Sequence, residues 1–172
     1  MQRPGRRCEL TDHSGHQIDE LDAALIRDLA TNPRSGILEM ARRLGVARNT
    51  VYARLARLQE RGVIVGFGPD LDLSVIGYGV TAFTTIEVIQ GRFNEVVGKL
   101  VAIPEVIEVH TVAGEGDMLC RIAARSNAQI MSIVERIVHI PGVDRTRTAI
   151  SLACEIRHRT MPLVERVLES SA

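Results

Sequence analysis

The sequence has few cysteines and few aromatic residues: three Cys, no Trp, and only 3% Phe, Trp and Tyr. Cys8, Cys120 and Cys154 lie far apart, and none belongs to a C-x-x-C pair, so the spacing predicts neither a disulfide framework nor a thiolate zinc site. The five histidines are also scattered, without an H-E-x-x-H motif. We therefore expect free thiols, no metal and no cofactor.

Long apolar runs are also missing. No stretch approaches the roughly 18 residues that a membrane span requires, and the positively charged N-terminus is not followed by the apolar segment of a signal peptide. The 172 residues, 45% of them hydrophobic, are enough for one mid-sized domain or two small ones. We expect a cytoplasmic globular protein with a disordered tail over residues 1–18.

Charge is balanced overall but unevenly distributed. The chain has 21 basic and 21 acidic residues, yet residues 1–65 carry 11 Arg against 8 acids (11 − 8 = +3) and residues 66–172 carry 10 bases against 13 acids (10 − 13 = −3). Residues 34–61 hold seven Arg against two Glu (7 − 2 = +5). A local excess of this size predicts contact between this segment and a polyanion.

Three helical patterns of apolar residues occupy residues 19–65, which we interpret as one domain. The first follows Asp19, a suitable N-cap, and stops before Pro33; the second stops at Gly45 and the third at Gly62. Their apolar positions are Leu21, Leu25 and Leu29, then Ile37, Met40, Ala41 and Leu44, then Val51, Leu55 and Leu58. Two helices joined by a short glycine turn predict a helix-turn-helix.

The polar residues around that turn predict DNA as the partner. In a helix-turn-helix the N-terminal end of the second helix of the motif enters the major groove, where Arg and Asn can bond base edges and further arginines can reach phosphates. A merely solvated face is the alternative, but it normally alternates acids with arginines, and acids are nearly absent here. The predicted DNA contacts are Arg42, Arg43, Arg48, Asn49, Thr50, Tyr52, Arg54 and Arg57.

Residues 63–67, which begin with three β-branched residues, predict a short strand that forms a wing or begins the linker. We place the linker at residues 66–78. Residues 79–172 then alternate strand and helix patterns, and the phrase Ile-Pro-x-Val occurs twice, at residues 103–106 and 140–143. Each copy joins a helix to a strand. The repeat predicts an α+β fold: a winged helix-turn-helix followed by a ferredoxin-like βαββαβ domain, with its last strand running through Leu152.

The predicted sheet has apolar residues on both faces. The first strand places Val80, Ala82, Ile86 and Val88 on one side and Phe83 and Ile89 on the other; the second places Val106 and Val112 opposite Ile107 and Val109. Helices cover only one face, so we expect a second subunit on the other. A two-fold dimer would present two recognition helices to a pseudo-palindromic site.

Several motifs together resemble the Lrp/AsnC family of feast/famine regulators over residues 19–163. They are Leu21-Asp22, Glu39-Met40-Ala41-Arg42-Arg43-Leu44-Gly45-Val46, Arg54-Leu55-Ala56-Arg57-Leu58, Gly62-Val63-Ile64, Ala113-Gly114-Glu115-Gly116-Asp117 and Pro141-Gly142-Val143. The resemblance implies dimers that assemble into tetramers or octamers, and an amino-acid effector bound between dimers. The effector residues it implies are Val112, Ala113, Gly114, Glu115, Gly116, Asp117, Met118, Thr146, Thr148 and Ile150.

The chemistry of the glycine loop suits an amino acid, because Asp117 can accept the ammonium group and loop N–H groups can bind the carboxylate. A hairpin turn in which Asp117 caps its own loop is an equal alternative. The chain departs from the family at Gly36 and Ala47, where members often have a capping Ser or Thr. Ala47 is therefore expected to weaken a phosphate contact or shift the start of the recognition helix.

Two other functions fit the same architecture. Siroheme decarboxylases share it, and such an enzyme would need His110, His158 and the arginines of the last strand to serve a tetrapyrrole carboxylate. A paired acid/base constellation is missing, so no catalytic residue is predicted. The third interpretation is an architectural DNA-binding oligomer that ignores small molecules.

Overall fold

The computed structural model describes residues 18–169, and this part of the chain forms two compact units. The first comprises residues 18–68 and 158–169; the second comprises residues 69–157. Apart from Ile18, the predicted tail lies outside the described residues. Within residues 18–169 no helix has the length and apolar character needed to cross a bilayer.

The first unit contains the predicted three helices, α1 (Glu20–Thr31), α2 (Ile37–Leu44) and α3 (Arg48–Glu60). Asp19 caps α1 as expected: its carboxylate accepts the Asp22 N–H at 2.8 Å in a capping box. Gly45 ends α2 with φ +66°, a left-handed conformation that glycine adopts without a Cβ penalty. The core between the helices consists of Leu25, Met40, Ala41, Val51 and Leu55.

The predicted wing strand at residues 63–67 is wrong, since the described part of this unit contains no strand. The N–H groups of Val63 and Ile64 instead donate to the Leu58 carbonyl at 2.9 and 3.1 Å, which closes the end of α3. Ile64 packs against the core, whereas Val65 and Phe67 are exposed. Residues 63–67 have no neighbouring strand inside this unit, so their backbone N–H and C=O groups form no strand pairing.

A sixth helix, α6 (Met161–Glu169), belongs to the first unit rather than to the C-terminal domain in which the sequence placed it. Arg27 of α1 pairs with Glu165 of α6 at 3.7 Å, both about half exposed. α6 has no fully buried residue. The chain thus returns to its N-terminal unit after completing the second.

The second unit has the predicted βαββαβ order: β1 (Val80–Val88), α4 (Phe93–Val101), β2 (Val106–Thr111), β3 (Met118–Ala124), α5 (Asn127–Val138) and β4 (Val143–Ile150). The strands form one antiparallel sheet in the order β2-β3-β1-β4. This is the ferredoxin-like topology that the repeated Ile-Pro-x-Val predicted. The last strand ends at Ile150, two residues before its predicted end.

One face of the sheet packs against α4 and α5. Alternate residues of the central strands, such as Ala82 and Ile86 of β1 and Cys120 and Ile122 of β3, are fully buried there. Burial raises the pKa of the Cys120 thiol to about 11. This thiol therefore behaves as a small apolar core group.

The predicted facing of β2 is wrong because the strand contains a β-bulge. Val106 pairs with Ile122 and Glu108 with Arg121, so Ile107 is an extra residue without a direct partner. The extra residue reverses the alternation, and Val106 and Val109 both pack against the core instead of lying on opposite faces.

Candidate nucleic-acid interface and ligand loop

The outer side of α3 combines polar residues at its start with small residues further along. Val51, Leu55 and Leu58 are buried, which turns Arg48, Asn49 and Tyr52 outward; Tyr52 is 66% exposed. Ala53 and Ala56 continue the same exposed side. Small residues here let the helix backbone approach a groove closely, so this side has the shape of a recognition surface.

Ala47 occupies the N-cap position of α3, as the sequence indicated, although its side chain cannot cap the helix. The helix begins at Arg48, and Ala47 takes the N-cap position in extended conformation (φ −67°, ψ 144°) without a side-chain hydrogen bond. Gly36 is likewise the uncapped N-cap of α2. The N-terminal N–H groups of α3 lack a capping side chain, as they do where a helix start meets a phosphate.

Arg43 is committed to an ion pair inside the unit. Its Nε and a terminal guanidinium nitrogen each donate to the Asp28 carboxylate at 2.7 Å, a bidentate pair between α2 and α1. Asp28 is 8% exposed and also accepts from Asn32 at 3.1 Å. The hydrogen bonds from Arg43 outweigh burial and lower the pKa of the Asp28 carboxyl. This arginine therefore fastens α2 to α1.

Arg54 and Arg57 are held by the first turn of α1. Asp22 has no exposed surface and accepts from Arg54 at 3.1 Å and from Arg57 at 2.9 Å. Arg54 also pairs with Asp19. Although burial opposes it, hydrogen bonds from Arg54 and the Asp22 backbone lower the pKa of the Asp19 carboxyl. These two cations therefore satisfy a buried carboxylate.

The eight predicted DNA contacts thus fall into two groups. Three arginines bind acids of α1, whereas Arg42, Arg48, Asn49 and Tyr52 are exposed and Thr50 is half-buried. The sequence contained a signal for this division: Asp22 and Asp28 share the side of α1 that carries Leu25. An acid on a core-facing side needs a cation, and the neighbouring helices supply it.

The predicted ligand loop connects β2 to β3 and uses both glycines in left-handed conformations. Gly114 has φ +129° and Gly116 φ +82°, and a Cβ on Gly116 would lie 3.3 Å from the Ile86 carbonyl oxygen and collide with Thr85. Asp117 donates its N–H to the Ile86 oxygen at 2.9 Å, and its Oδ2 accepts the Val88 N–H at 2.7 Å. The carboxylate therefore binds the backbone at the end of β1. This arrangement resembles the alternative in which Asp117 caps a turn.

The other predicted ligand residues differ in burial and in the groups they contact. Met118 is fully buried in the core, and the Thr148 hydroxyl lies 3.0 Å from that of Thr84. Glu115 of the loop forms an exposed ion pair with Arg147 of β4, which sequence reasoning missed because the partners are 32 residues apart. Ala113 and Gly114 are exposed, as is Ile150 on the edge strand, and Thr146 is half-buried. Val112 is half-buried and donates to the Asp117 carbonyl.

Comparison with known proteins finds two family models that match the chain. Residues 18–59 match the AsnC-type helix-turn-helix domain, and residues 81–161 match the Lrp/AsnC ligand binding domain. The chain is 30% identical over 146 residues to the HTH-type transcriptional regulator FL11 of Pyrococcus horikoshii, covering 85% of this chain and 97% of that protein.

Solved structures agree with this. The structure of E. coli AsnC superposes with a TM-score of 0.78 at 26% identity, covering 86% of this chain and 100% of that chain. A feast or famine regulatory protein of M. tuberculosis, solved in complex with L-methionine, gives 0.74 at 29% identity, with 83% and 97% covered. Both domains and both kinds of comparison lead to one conclusion: the chain belongs to the Lrp/AsnC family of helix-turn-helix transcriptional regulators.

Proposed function

We propose that this regulator reads DNA through Arg48, Asn49 and Tyr52 of α3, and that an amino acid bound at the loop of residues 112–117 changes its assembly or its DNA affinity. The proposal for DNA rests on which arginines are already bound in ion pairs and which are not. Within residues 18–169, no acidic group lies within ion-pair distance of Arg42 or Arg48, whereas Arg43, Arg54 and Arg57 are bound to aspartates. The unpaired cations are the ones that remain for base edges and phosphates.

Replacing Arg48 and Arg57 separately tests this division, because both lie on α3 and lose the same charge. A bidentate contact to a base is worth about 1–3 kcal/mol, so Arg48→Ala should weaken binding to the DNA upstream of its own gene about 5- to 150-fold. Arg57→Ala should change affinity less than about threefold after correction for the folded fraction. Equal losses for the two variants, or none for Arg48→Ala, would contradict the assignment.

A homodimer is the proposed assembly, because the sheet face away from α4 and α5 carries apolar side chains that no helix of the chain's second unit covers. Phe83 is 40% exposed there, Leu119 is half-buried, and Ala123 is buried beside them. Arg121 and Glu108 pair at 3.3 Å across the same face, so its charges are already partly matched. A second copy with the same mixed surface would cover it about a two-fold axis.

The amino-acid proposal depends on the charges at the loop. Asp117 uses Oδ2 for the Val88 N–H and retains Oδ1 as an acceptor for an ammonium group. Glu115 and Arg147 add one charge of each sign, the complement of a zwitterion. The M. tuberculosis relative solved with L-methionine supports the ligand class. Because Met118 and Thr148 face inward, we place the ligand against the exposed part of the loop, where a neighbouring subunit can close the site.

A thermal-shift screen against single amino acids tests the effector proposal, since a specific ligand stabilises the native state by mass action. Asp117→Asn retains an acceptor for Val88 but lacks the charge, so the variant should fold normally and lose the ligand-induced shift. Asp117→Ala should lower the melting temperature even without ligand. If no amino acid shifts the wild type, the architectural alternative is favoured.

We assign no catalytic role to the chain. The decarboxylase-like alternative relied on His110, His158 and the arginines of the last strand, of which Arg147 is paired with Glu115. His110 lies 3.7 Å from Glu108 on an exposed strand, a surface contact. Turnover of siroheme by the purified protein would refute this assignment.

A further inference from the structure

An ion pair joins the predicted ligand loop to β4. Arg147 of this strand donates one terminal guanidinium nitrogen to Oε2 of Glu115 in the loop. Both side chains are largely exposed, 63% for Arg147 and 86% for Glu115. An ion pair between side chains this exposed contributes little to stability, so the fold does not require it.

The backbone brings the two charges together. Thr85 of β1 is the direct cross-strand neighbour of Arg147, so the two side chains share one face of the sheet. Gly116 lies directly over the Thr85 side chain, because a Cβ at this glycine would collide with its methyl group. Glu115 therefore reaches Arg147 across Thr85, at the margin of the sheet that β4 forms.

Arg147 differs from Arg145, which lies two residues earlier on the same face of β4. Arg145 is opposite Glu87 of β1, an acid at the neighbouring strand position, whereas Arg147 is opposite an uncharged threonine. Among the residues that the structure describes, Glu115 is the one acid within ion-pair distance of Arg147. If Glu115 moves away, this guanidinium has no acidic partner in the described part of its chain.

Glu115 is the easier of the two residues to displace. It lies between Gly114 and Gly116 in an exposed loop, whereas the backbone of Arg147 is fixed by pairing with β1. In the described chain, the N–H groups of residues 114–116 donate to no backbone carbonyl. These N–H groups are therefore available to a carboxylate that approaches the loop.

We propose that the effector is an amino acid with an acidic side chain, of the class of aspartate and glutamate, and that its side-chain carboxylate replaces Glu115 on Arg147. The inference rests on the amino-acid site proposed above. In that site Asp117 accepts the ammonium group and the loop N–H groups bind the α-carboxylate. Arg147 then remains as a strand-fixed cation for a second carboxylate.

The geometry of the ion pair favours an acidic ligand over a basic one. Glu115 contacts a single nitrogen of the guanidinium, whereas a free carboxylate can align with two N–H groups in a bidentate pair. A ligand with an ammonium side chain would instead compete with Arg147 for Glu115 as a point charge, without this second hydrogen bond. The released Glu115 side chain is exposed and remains hydrated in water.

Matched pairs of ligands test the class, because glutamate and glutamine, or aspartate and asparagine, have nearly the same shape but differ in charge. In calorimetric titrations of the full-length protein, the acid of at least one pair should bind about tenfold or more tightly than its amide. Equal binding of acid and amide in both pairs would overturn the inference. Tighter binding of lysine or of methionine would do the same.

Two substitutions test the roles of the pair. Arg147→Gln should remove the preference for the acid, while the affinity for the amide changes less than about threefold, because a neutral side chain gains little from the guanidinium charge. Glu115→Gln removes the competing carboxylate and should tighten binding of the acid about two- to fivefold. Arg136→Gln is the control: this half-exposed arginine of α5 pairs with Glu105, and its loss should leave the affinity for both ligands unchanged.

The same titrations separate this inference from the proposed function. If Arg147→Gln weakens the acid and the amide equally, Arg147 holds the α-carboxylate, and the acidic class is refuted while an amino-acid effector stands. A specific uncharged or basic amino acid has the same consequence. If no amino acid binds the wild type, both proposals are refuted.

Discussion

The pairing of Asp22 with two arginines predicts that Arg54 and Arg57 substitute for each other. Arg57→Ala leaves Asp22 bonded to Arg54 at 3.1 Å, and Arg54→Ala leaves it bonded to Arg57 at 2.9 Å. Removing both leaves a carboxylate with no exposed surface and no cation beside it. We therefore expect the double substitution to cost much more than the two single ones together.

The magnitudes follow from exposure. The Arg54 and Arg57 side chains are 28% and 45% exposed, so losing either while the other remains should cost about 1 kcal/mol. Leaving the buried Asp22 without a partner should cost about 3–5 kcal/mol. The coupling energy is the loss in the double variant minus the sum of the two single losses, about 1–3 kcal/mol. Adding Asp22→Asn to the double variant should recover part of the loss, because an uncharged amide is cheaper to bury.

Hydrogen exchange of α1 in the full-length chain, read by mass spectrometry, measures this loss where it occurs. The exchange free energies of the wild type, the two single variants and the double variant complete a cycle. Exchange of the second unit, read in the same experiment, should be unchanged in all four proteins. Additive losses within about 0.5 kcal/mol, or a triple variant no better than the double, would refute the reasoning.

Three further predictions concern single positions. Hydrogen bonds from Arg43 lower the pKa of Asp28 below its usual 3.8, so this pair stabilises the fold above that pH and loses its effect as pH falls through the lower value of the folded state. Asp28→Asn should therefore melt below the wild type at pH 7, with a gap that narrows in acid; a constant gap in thermal melts would contradict this. Ala47→Ser should raise stability to urea by about 0.5–2 kcal/mol by capping α3, and an unchanged midpoint would mean that the first turn is already satisfied. Gly116→Ala should cost at least about 1 kcal/mol, measured by calorimetry, because φ is +82° and the new Cβ would meet the Ile86 oxygen; a normal melting temperature would show that the loop relaxes.

Local signals account for most of what the sequence predicted correctly. The N-cap at Asp19 and the left-handed turn at Gly45 depend on neighbouring residues, and the structure has both. The repeated Ile-Pro-x-Val fixed the order of strands and helices, since each copy marks the same junction. The bulge at Ile107 was missed because only the partner strand reveals which residue is extra.

Pairs distant in sequence account for the ion pairs that the sequence did not predict. Asp28 and Arg43 are 15 residues apart, and Asp22 and Arg57 are 35 apart, so no window of helical length contains either pair. Periodicity gave the side of the helix on which each arginine lies, but not the element that packs against that side. The exposure of Arg48 could be predicted because this residue lies at the turn, outside the contact with α1.

The ion pairs also change the meaning of the charge count. Residues 34–61 carry a net +5, but Asp19, Asp22 and Asp28 lie outside that segment and neutralise three of its arginines, which leaves 5 − 3 = +2. Each cation that reaches a phosphate contributes to affinity and to its salt dependence, so one helix-turn-helix here directs less than half of its apparent charge at DNA. A single copy would therefore hold DNA weakly. This is a physical reason, independent of the sheet, for two copies of α3 to act on one site.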